Sequence, residues 1–581
     1  MSAPAESPPS LDRRHFLLGS GVVGAGLILG LRLARQRDAG SATDAQRTFT
    51  PNAYVRIAPD DTITLVIGKA EMGQGINVGS AVILGEELDV DPQRIRVAFG
   101  GVDPAFYHTY QPAQFTGGSM SVQTTYEPLR KAGAAARAML LAAAAKRWRV
   151  DVAQLRTADG RVYDGERSLS YGELAADAAR EAVPAEVTLK ARREFKYIGR
   201  PQRRIDTLEK ITGAAQFGID VRLPDMLTAV IARPPVFGAT VRSFDASAAR
   251  AVAGVVDVKA VPSGVAVVAQ NTWAALRGRD ALRIDWNLGS NAALDSAALR
   301  AQYRRLARQP GTVARSVGDA DAAYRAAAPQ RRLDVEYELP YLAHACMEPL
   351  NAVVHARAGG ADLWVGTQNH SQDVDAVARV LGLRPEQVTL HSLFLGGGFG
   401  RRAASQSDFV TEAAQVARGY DRPVKVVWTR EDDMRGGFYR PYNLTRVRAA
   451  LDANGLPTCL RYVTVGQSVF AGSPFAAAVI GKDGLDPMSH EGVSNTPYAF
   501  AHLQVECHTT EPGVPVLWWR SVGHSISGFV VESVLDRVAQ AARWGTPAPA
   551  GRARGLALHE SFGTVVAQVA EVSVAGGEVR V

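Results

Sequence analysis

The chain has 581 residues, 46% of them hydrophobic, enough for three or four cores at about 150 residues per domain, which excludes a disordered or fibrous protein. Its formal charge of +7 is the balance of 65 basic and 58 acidic residues interleaved along the whole length, so it reads as general surface charge and not as a nucleic-acid-binding stripe. The three cysteines, Cys346, Cys459 and Cys507, are far apart with no Cys-x-x-Cys pair, which excludes an iron–sulfur cluster or zinc site of the chain's own and leaves three small buried side chains.

In chain order, Asp12-Arg13-Arg14-His15-Phe16-Leu17-Leu18 opens an apolar run from Phe16 to Leu31, closed by Arg32, Arg35 and Arg37. Adjacent arginines ahead of such a run predict a twin-arginine export signal, and hence a periplasmic protein that leaves the cytoplasm already folded. The run is rich in glycine and shorter than the ~20 residues that cross hydrocarbon, so a membrane anchor is the lesser reading. Cleavage is expected near Ala39 to Ala42. Tyr54 to Ile57 and Thr62 to Ile67 alternate around Pro59-Asp60-Asp61 and predict a hairpin, followed directly by Glu71-Met72-Gly73-Gln74-Gly75. Val78 to Leu88 has helical spacing, Thr116 to Ser121 is a loop of small residues, and Glu127 to Trp148 is so rich in Ala, Leu, Lys and Arg that it predicts helix.

Between Leu223 and Trp286 the strands Leu227 to Ala232 and Gly264 to Ala269 alternate with helices at Ala246 to Ala253 and Asn271 to Leu282, which reads as a compact α+β unit. From Leu333 onward strand and helix alternate: Leu363 to Thr367, Gln372 to Leu381, Val388 to Leu395, Asp408 to Ala417, Val424 to Trp428. That order predicts mixed α/β layering with ligands at strand ends. Near the C-terminus, Val565 to Val574 reads as a strand, Ala575 to Glu578 as a turn, and Val579 to Val581 as the start of a return strand.

The most informative stretch is Leu395-Gly396-Gly397-Gly398-Phe399-Gly400-Arg401-Arg402. Consecutive glycines at a strand end leave N–H groups bare and tolerate positive φ, so they can form an anion nest, with Arg401 and Arg402 adding charge. The stretch lacks the Gly-Lys-Ser/Thr ending of a phosphate-binding P-loop and the spacing of a dinucleotide turn. Gly523-His524-Ser525-Ile526-Ser527 nearly spells a hydrolase nucleophile elbow, offering Ser525 as an alternative nucleophile, although Ser527 stands where the elbow wants glycine. Glu431, Asp432 and Asp433 read as a solvated turn. His344, Met347 and Glu348 read as a core turn before a proline, and Trp518 and Trp519 either line an aromatic pocket or simply pack.

Taken together, Glu71 to Gly75, Thr367-Gln368-Asn369, Leu395 to Arg402, Thr429 to Met434 and Trp519-Arg520-Ser521-Val522-Gly523-His524 resemble the large, molybdenum-binding subunit of the xanthine dehydrogenase and aldehyde oxidase family, in its isoquinoline 1-oxidoreductase β-subunit type. The resemblance implies a multidomain α+β molybdenum-hydroxylase subunit. Its expected parts are a signal and linker (1–48), a permuted molybdopterin-binding segment (49–198), an a/b hammerhead domain (199–290), a molybdopterin-binding domain (310–545) and the start of a further one (546–581). It implies a molybdopterin dinucleotide, of the cytosine form, and hydroxylation of aldehydes or N-heteroaromatics with water as the oxygen source. It also implies iron–sulfur clusters on a small partner subunit and a cytochrome as electron acceptor. By position, Gln368 resembles the glutamine beside molybdenum. Gly397, Gly398, Phe399, Gly400 and Arg401 resemble the loop beneath it, and Arg520 a substrate-pocket arginine. Gln74, Gly75, Ser119 and Ser121 resemble residues that hold the pterin and its phosphate. One departure stands out: the family's general base is a glutamate in a Gly-rich segment near the C-terminus, and no such segment is present here. A catalytically incomplete, cofactor-binding fragment is therefore the alternative expectation.

Overall fold

The structure is a computed structural model that describes residues 50, 52–107, 113–453, 455–541 and 550–581. The twin-arginine segment and its apolar run lie outside the described residues, and no helix among those described is long and apolar enough to cross a membrane.

The expected hairpin forms from Val55–Ile57 and Ile63–Ile67, and Ile95–Phe99 adds to its far edge in parallel. Helices Ile76–Leu88 and Ser121–Trp148 cover it, placing Ile83, Leu84, Leu88, Leu129, Ala136 and Leu140 in one core with Val55, Ile57 and Leu65. The two helices meet almost backbone to backbone, since a Cβ at Gly133 would lie 2.9 Å from the Leu84 carbonyl oxygen. The second helix begins at Ser121 and not at Glu127, running through Pro128. Its first turns are held by Tyr126, packed against the core, and by the Thr124 and Thr125 hydroxyls, which donate to the Met120 and Ser121 carbonyls.

A seven-stranded sheet runs in the order Val388–Ser392, Gly360–Val365, Asn351–Arg357, Val424–Val427, Leu227–Ala232, Gly264–Ala269, Val255–Val261. The unit expected to close on itself between Leu223 and Trp286 therefore does not do so. Its strand Leu227–Ala232 pairs in parallel with Val424–Val427, Leu227 opposite Val424. Both strands are buried along nearly their whole length, and a strand buried on both faces belongs inside a sheet, not at an edge; Lys425 is accommodated by donating to the Ile219 carbonyl. Helices His370–Leu381 and Asp408–Ala417 cover one face through Val374, Val377, Phe409 and Ala413.

A five-stranded sheet, Thr312–Val317, His502–Thr509, Pro457–Gly466, Asn443–Leu451 and Arg332–Leu339, carries helix His524–Ala541 on one face through Val530, Val531 and Val534. The C-terminal strands Thr564–Ala575 and Glu578–Arg580 match expectation, and a strand the sequence reading did not anticipate, Arg552–Ser561, pairs with the first of them. Its Gly555 and its runs without alternation hide it. All three cysteines are buried free thiols.

Candidate functional site

Five loops meet where strands of the first two sheets end. The Leu395 N–H donates to the Glu71 carbonyl (3.1 Å), the Ala70 N–H to the Thr116 hydroxyl (2.9 Å), and the Thr116 N–H to the Gln368 carbonyl (2.8 Å). The Gln368 N–H donates to the Arg402 carbonyl (3.0 Å), and the Arg520 N–H to the Phe399 carbonyl (2.9 Å). Gln368 is the junction. Its side-chain amide donates to the Thr116 carbonyl at 2.9 Å, and its Oε1 accepts from the Gly400 N–H at 3.2 Å. One Nε2 hydrogen and one Oε1 lone pair remain beyond these two bonds, so the residue can still offer a ligand a donor and an acceptor.

The glycines of Leu395–Arg402 are needed for two separate reasons. Gly397 and Gly400 both have φ of 101°, in the left-handed region that a side chain strains. Gly396 and Gly398 are needed for space: a Cβ at the first would lie 2.3 Å from Glu348 Cβ, and at the second 2.6 Å from Gln368 Oε1 and 2.8 Å from Met72 Sδ. Phe399, itself at φ 54°, is left 39% exposed on the rim, where the Arg520 guanidinium stacks on it at 4.2 Å.

The second half of the site is built by two helix starts lying side by side, for a Cβ at Gly79 would reach Val122 at 4.0 Å. Gly75 is the N-cap of one helix at φ 86°, and Ser121 is the first residue of the other; neither N-cap residue supplies a side-chain cap. Ser119, at φ 57°, is exposed beside them. A helix N-terminus with free N–H groups favours an anion such as phosphate, and the start at Ser121 is of this kind, whereas the start at Gly75 is already served by the Glu71 carboxylate. Glu71, fully buried, shapes this entry by accepting from the Gly73, Gly75 and Asn77 N–H groups and from Arg204. An acid two residues ahead of Gly-x-Gly is the signal that could have identified it as the loop's organiser; Arg204, more than a hundred residues away, has no such signal.

Two expectations are corrected. Arg401 does not present charge to a ligand: it is 1% exposed and forms two hydrogen bonds to Asp408, at 2.9 and 2.6 Å. Arg402 is likewise turned inward, onto the Glu348 carboxylate (2.9 Å) and the Gly366 carbonyl (2.9 Å). Buried guanidiniums need carboxylate partners, and both find them inside the protein. Gln74 is exposed, but its side chain folds back on its own loop, accepting from the Met72 N–H and donating to the Ala70 carbonyl, both at 2.7 Å.

The acidic turn also differs from a solvated one. Asp432 forms a capping box with Thr429, and Asp433 is buried against Arg430 at 2.8 Å, leaving Glu431 exposed. Glu348 is a strut, accepting from the Gly396 and Ile219 N–H groups and from Asn351. His344 sits behind the loop with its Nε2 3.0 Å from the Trp518 carbonyl oxygen, and burial pushes its pKa down to about 4, so it is neutral at physiological pH. Ser525 is no activated nucleophile. Its hydroxyl donates to the Val522 carbonyl at 2.6 Å within the first turn of a helix, and the adjacent His524 is taken up by His559 at 2.8 Å.

Asp373, 1% exposed beneath the Gln368 loop, is bonded by the Thr367 hydroxyl, and burial raises its pKa to about 7. Folding thus binds a proton that the unfolded chain releases near pH 4. The stability from that proton is fully present below about pH 4 and is lost as pH rises toward 7, at a slope of about 1.4 kcal/mol per pH unit. Asp373→Asn is expected to flatten this part of the profile, measured as urea midpoints across pH 4 to 8; an unchanged slope would mean that Asp373 is ionised in the fold.

The residues fit a pterin-bearing group in shape and donor set. A side-chain-poor glycine loop, a hydrogen-bonding amide and an uncapped helix start at Ser121 are joined through Thr116, while among the described residues no cluster of His, Cys, Asp or Glu could itself hold a metal. Comparison with known proteins agrees. Family profiles for the molybdopterin cofactor-binding domain match residues 19–219 and 306–544. The chain is similar to the isoquinoline 1-oxidoreductase subunit beta of Brevundimonas diminuta, 30% identical over 579 residues that cover 91% of this chain and 73% of that one. It is also similar to the membrane-bound aldehyde dehydrogenase (pyrroloquinoline-quinone) of Gluconacetobacter polyoxogenes, 30% identical with coverage of 91% and 70%. Among solved structures, the quinoline 2-oxidoreductase from Pseudomonas putida 86 aligns over 58% of this chain and about half (48%) of its own, at 18% identity and a TM-score of 0.46.

Proposed function

The chain belongs to the xanthine dehydrogenase family of molybdopterin-binding subunits, and from that premise we propose that it is the catalytic subunit of an oxidoreductase that hydroxylates aldehydes or N-heteroaromatic rings. The observation that carries this reading is the meeting of the Gln368 amide with the side-chain-poor backbone of Gly396–Gly400, and with Thr116 of the loop that leads to the helix start at Ser121.

When bound, a molybdenum-bearing pterin supplies two-electron oxidation of an electron-poor carbon with water as the oxygen source. The chain's own residues do the rest. The helix start at Ser121 takes a phosphate through its uncapped N–H groups, and the remaining Gln368 hydrogen orients an acceptor oxygen beside the glycine loop. Phe399, with the Arg520 guanidinium stacked on it at 4.2 Å, forms a flat wall against which a planar substrate ring can lie. His344, neutral and behind the loop, holds the Trp518 carbonyl in place and is not a proton carrier. No glutamate of the chain is assigned as general base.

The same reading includes a dinucleotide of the cytosine form, an iron–sulfur partner subunit that takes the electrons onward to a cytochrome, and export through the Arg13-Arg14 signal. Twin-arginine export of a folded chain suits a protein that must receive a large cofactor before leaving the cytoplasm.

Expression with the partner subunit in a molybdenum-replete host, followed by metal analysis and pterin fluorescence, tests the reading. Molybdenum near one per chain, with turnover of an aldehyde or quinoline-like ring by an artificial acceptor, is expected. Protein free of pterin would overturn it, whereas loaded protein without any turnover would identify a cofactor-binding scaffold.

A further inference from the structure

A ladder of side chains leads from the glycine loop to a second place in the molecule. Phe399, Arg520, Trp519 and Arg440 alternate ring and guanidinium, with separations of 4.2, 4.6 and 5.3 Å. The ladder ends at a cavity of about 30 Å³ lined by Arg440, Asn443, Thr464, Cys507, Trp519 and Val522, among others.

Arg440 is unlike the other buried arginines. Arg401 is neutralised by Asp408, Arg402 by Glu348 and Arg233 by Glu412. Arg440 is 8% exposed, yet among the described residues the one hydrogen bond of its guanidinium runs from Nη2 to the Pro340 carbonyl at 3.0 Å, and its Nε has no partner. Arginine cannot shed its proton in a protein, so the charge stays. The rest of the wall does not neutralise it. Asn443 donates to the Thr464 hydroxyl at 2.8 Å, and burial pushes the Cys507 thiol up to about 12, which keeps it neutral. A buried cation with a free donor edge and no anion is costly to keep unless an anion from outside completes it.

We propose that this cavity is a carboxylate site, in which Arg440 binds the head of a small organic acid whose body lies against Trp519. A guanidinium edge matches a carboxylate in geometry, and the cavity has room for roughly one or two water-sized groups, enough for a head and not for a ring. The acid that an aldehyde becomes on oxidation has this chemistry. That identification of the acid as product rests on the proposed function; the anion site does not.

The test uses the full chain, loaded or not. Acetate, titrated at constant ionic strength against chloride, is expected to raise the melting temperature of the wild type saturably, with chloride much weaker. Arg440→Met removes a lone buried charge, so it is expected to fold, and to raise the half-saturating acetate concentration by about tenfold or more. Arg435→Met, at an exposed arginine, is expected to leave it unchanged. Should Arg440→Met not fold, Arg440→Lys, which keeps the charge but not the fork, is expected to show the same weakening. No saturable acetate effect on the wild type, or an equal effect of chloride, overturns the carboxylate site. Inhibition of turnover by the product acid that weakens in the same variants supports the product assignment; stabilisation without inhibition overturns that assignment alone.

Discussion

Gly398→Ala is expected to yield folded protein that has lost at least about nine-tenths of its molybdopterin, a change of about 1.4 kcal/mol or more in effective binding. The added methyl would lie 2.6 Å from Gln368 Oε1 and 2.8 Å from Met72 Sδ. Met72 can swing aside, since a thioether on three rotatable bonds adapts. Gln368 cannot, because its amide is fixed at both ends, to Thr116 and to Gly400. The methyl therefore pushes Gln368 off the Gly400 N–H and separates the loops that share it. Overpacking of this kind costs about 1–3 kcal/mol, which lowers the melting temperature without unfolding the chain. Molybdenum per protein, measured beside circular dichroism, checks the outcome. Gly101→Ala, where the nearest atom to the new Cβ is 3.5 Å away, is the matched control and is expected to load normally. Full molybdenum content in Gly398→Ala would refute the placement of the cofactor against this loop.

Gly398 shows why part of the site can be read without coordinates. A glycine required by φ or by close approach announces itself in the sequence, because the requirement is local and no other residue meets it; Gly397 and Gly400 are of the first kind, Gly396 and Gly398 of the second. Strands Leu227–Ala232 and Gly264–Ala269 were legible to both ends for a similar reason, being short apolar runs bounded by polar and turn-forming residues. What could not be read depends on partners far along the chain. Arg401 and Arg402 look alike in sequence as charges available to a ligand, and Asp408 and Glu348 turn both inward. The joining of Leu227–Ala232 to Val424–Val427 leaves no local mark, since a buried parallel strand reads the same whichever neighbour it takes. The first turns of the second helix, Ser121 to Tyr126, have no such signal, because their Ser, Val and Thr residues favour helix weakly while Ala, Leu, Lys and Arg dominate from Glu127 onward.

Glu348→Ala is expected to destabilise the protein by about 3–5 kcal/mol. Glu348 is 7% exposed and its two oxygens serve four donors: the Gly396 N–H, Arg402 Nη2, the Ile219 N–H and Asn351 Nδ2. Truncation leaves the Arg402 guanidinium, 1% exposed, without a counter-charge, and its carbonyl contacts to Gly366 and Glu348 cannot replace one. The loss should therefore shrink when the charge left behind is also removed. In the double variant Glu348→Ala with Arg402→Met, recovery of about 1–3 kcal/mol relative to the sum of the single changes is expected from a double-mutant cycle in urea. Glu348→Gln separates charge from packing, since it keeps the volume and an acceptor but not the ion pair, and its loss should fall between wild type and Glu348→Ala. Additive losses in the cycle would show that the pair contributes only by filling space. Because the same carboxylate fixes the Gly396 N–H, the cofactor loop and the stability of the sheet end are one structure, and the variants that weaken the fold here are expected to load less molybdenum in the same order.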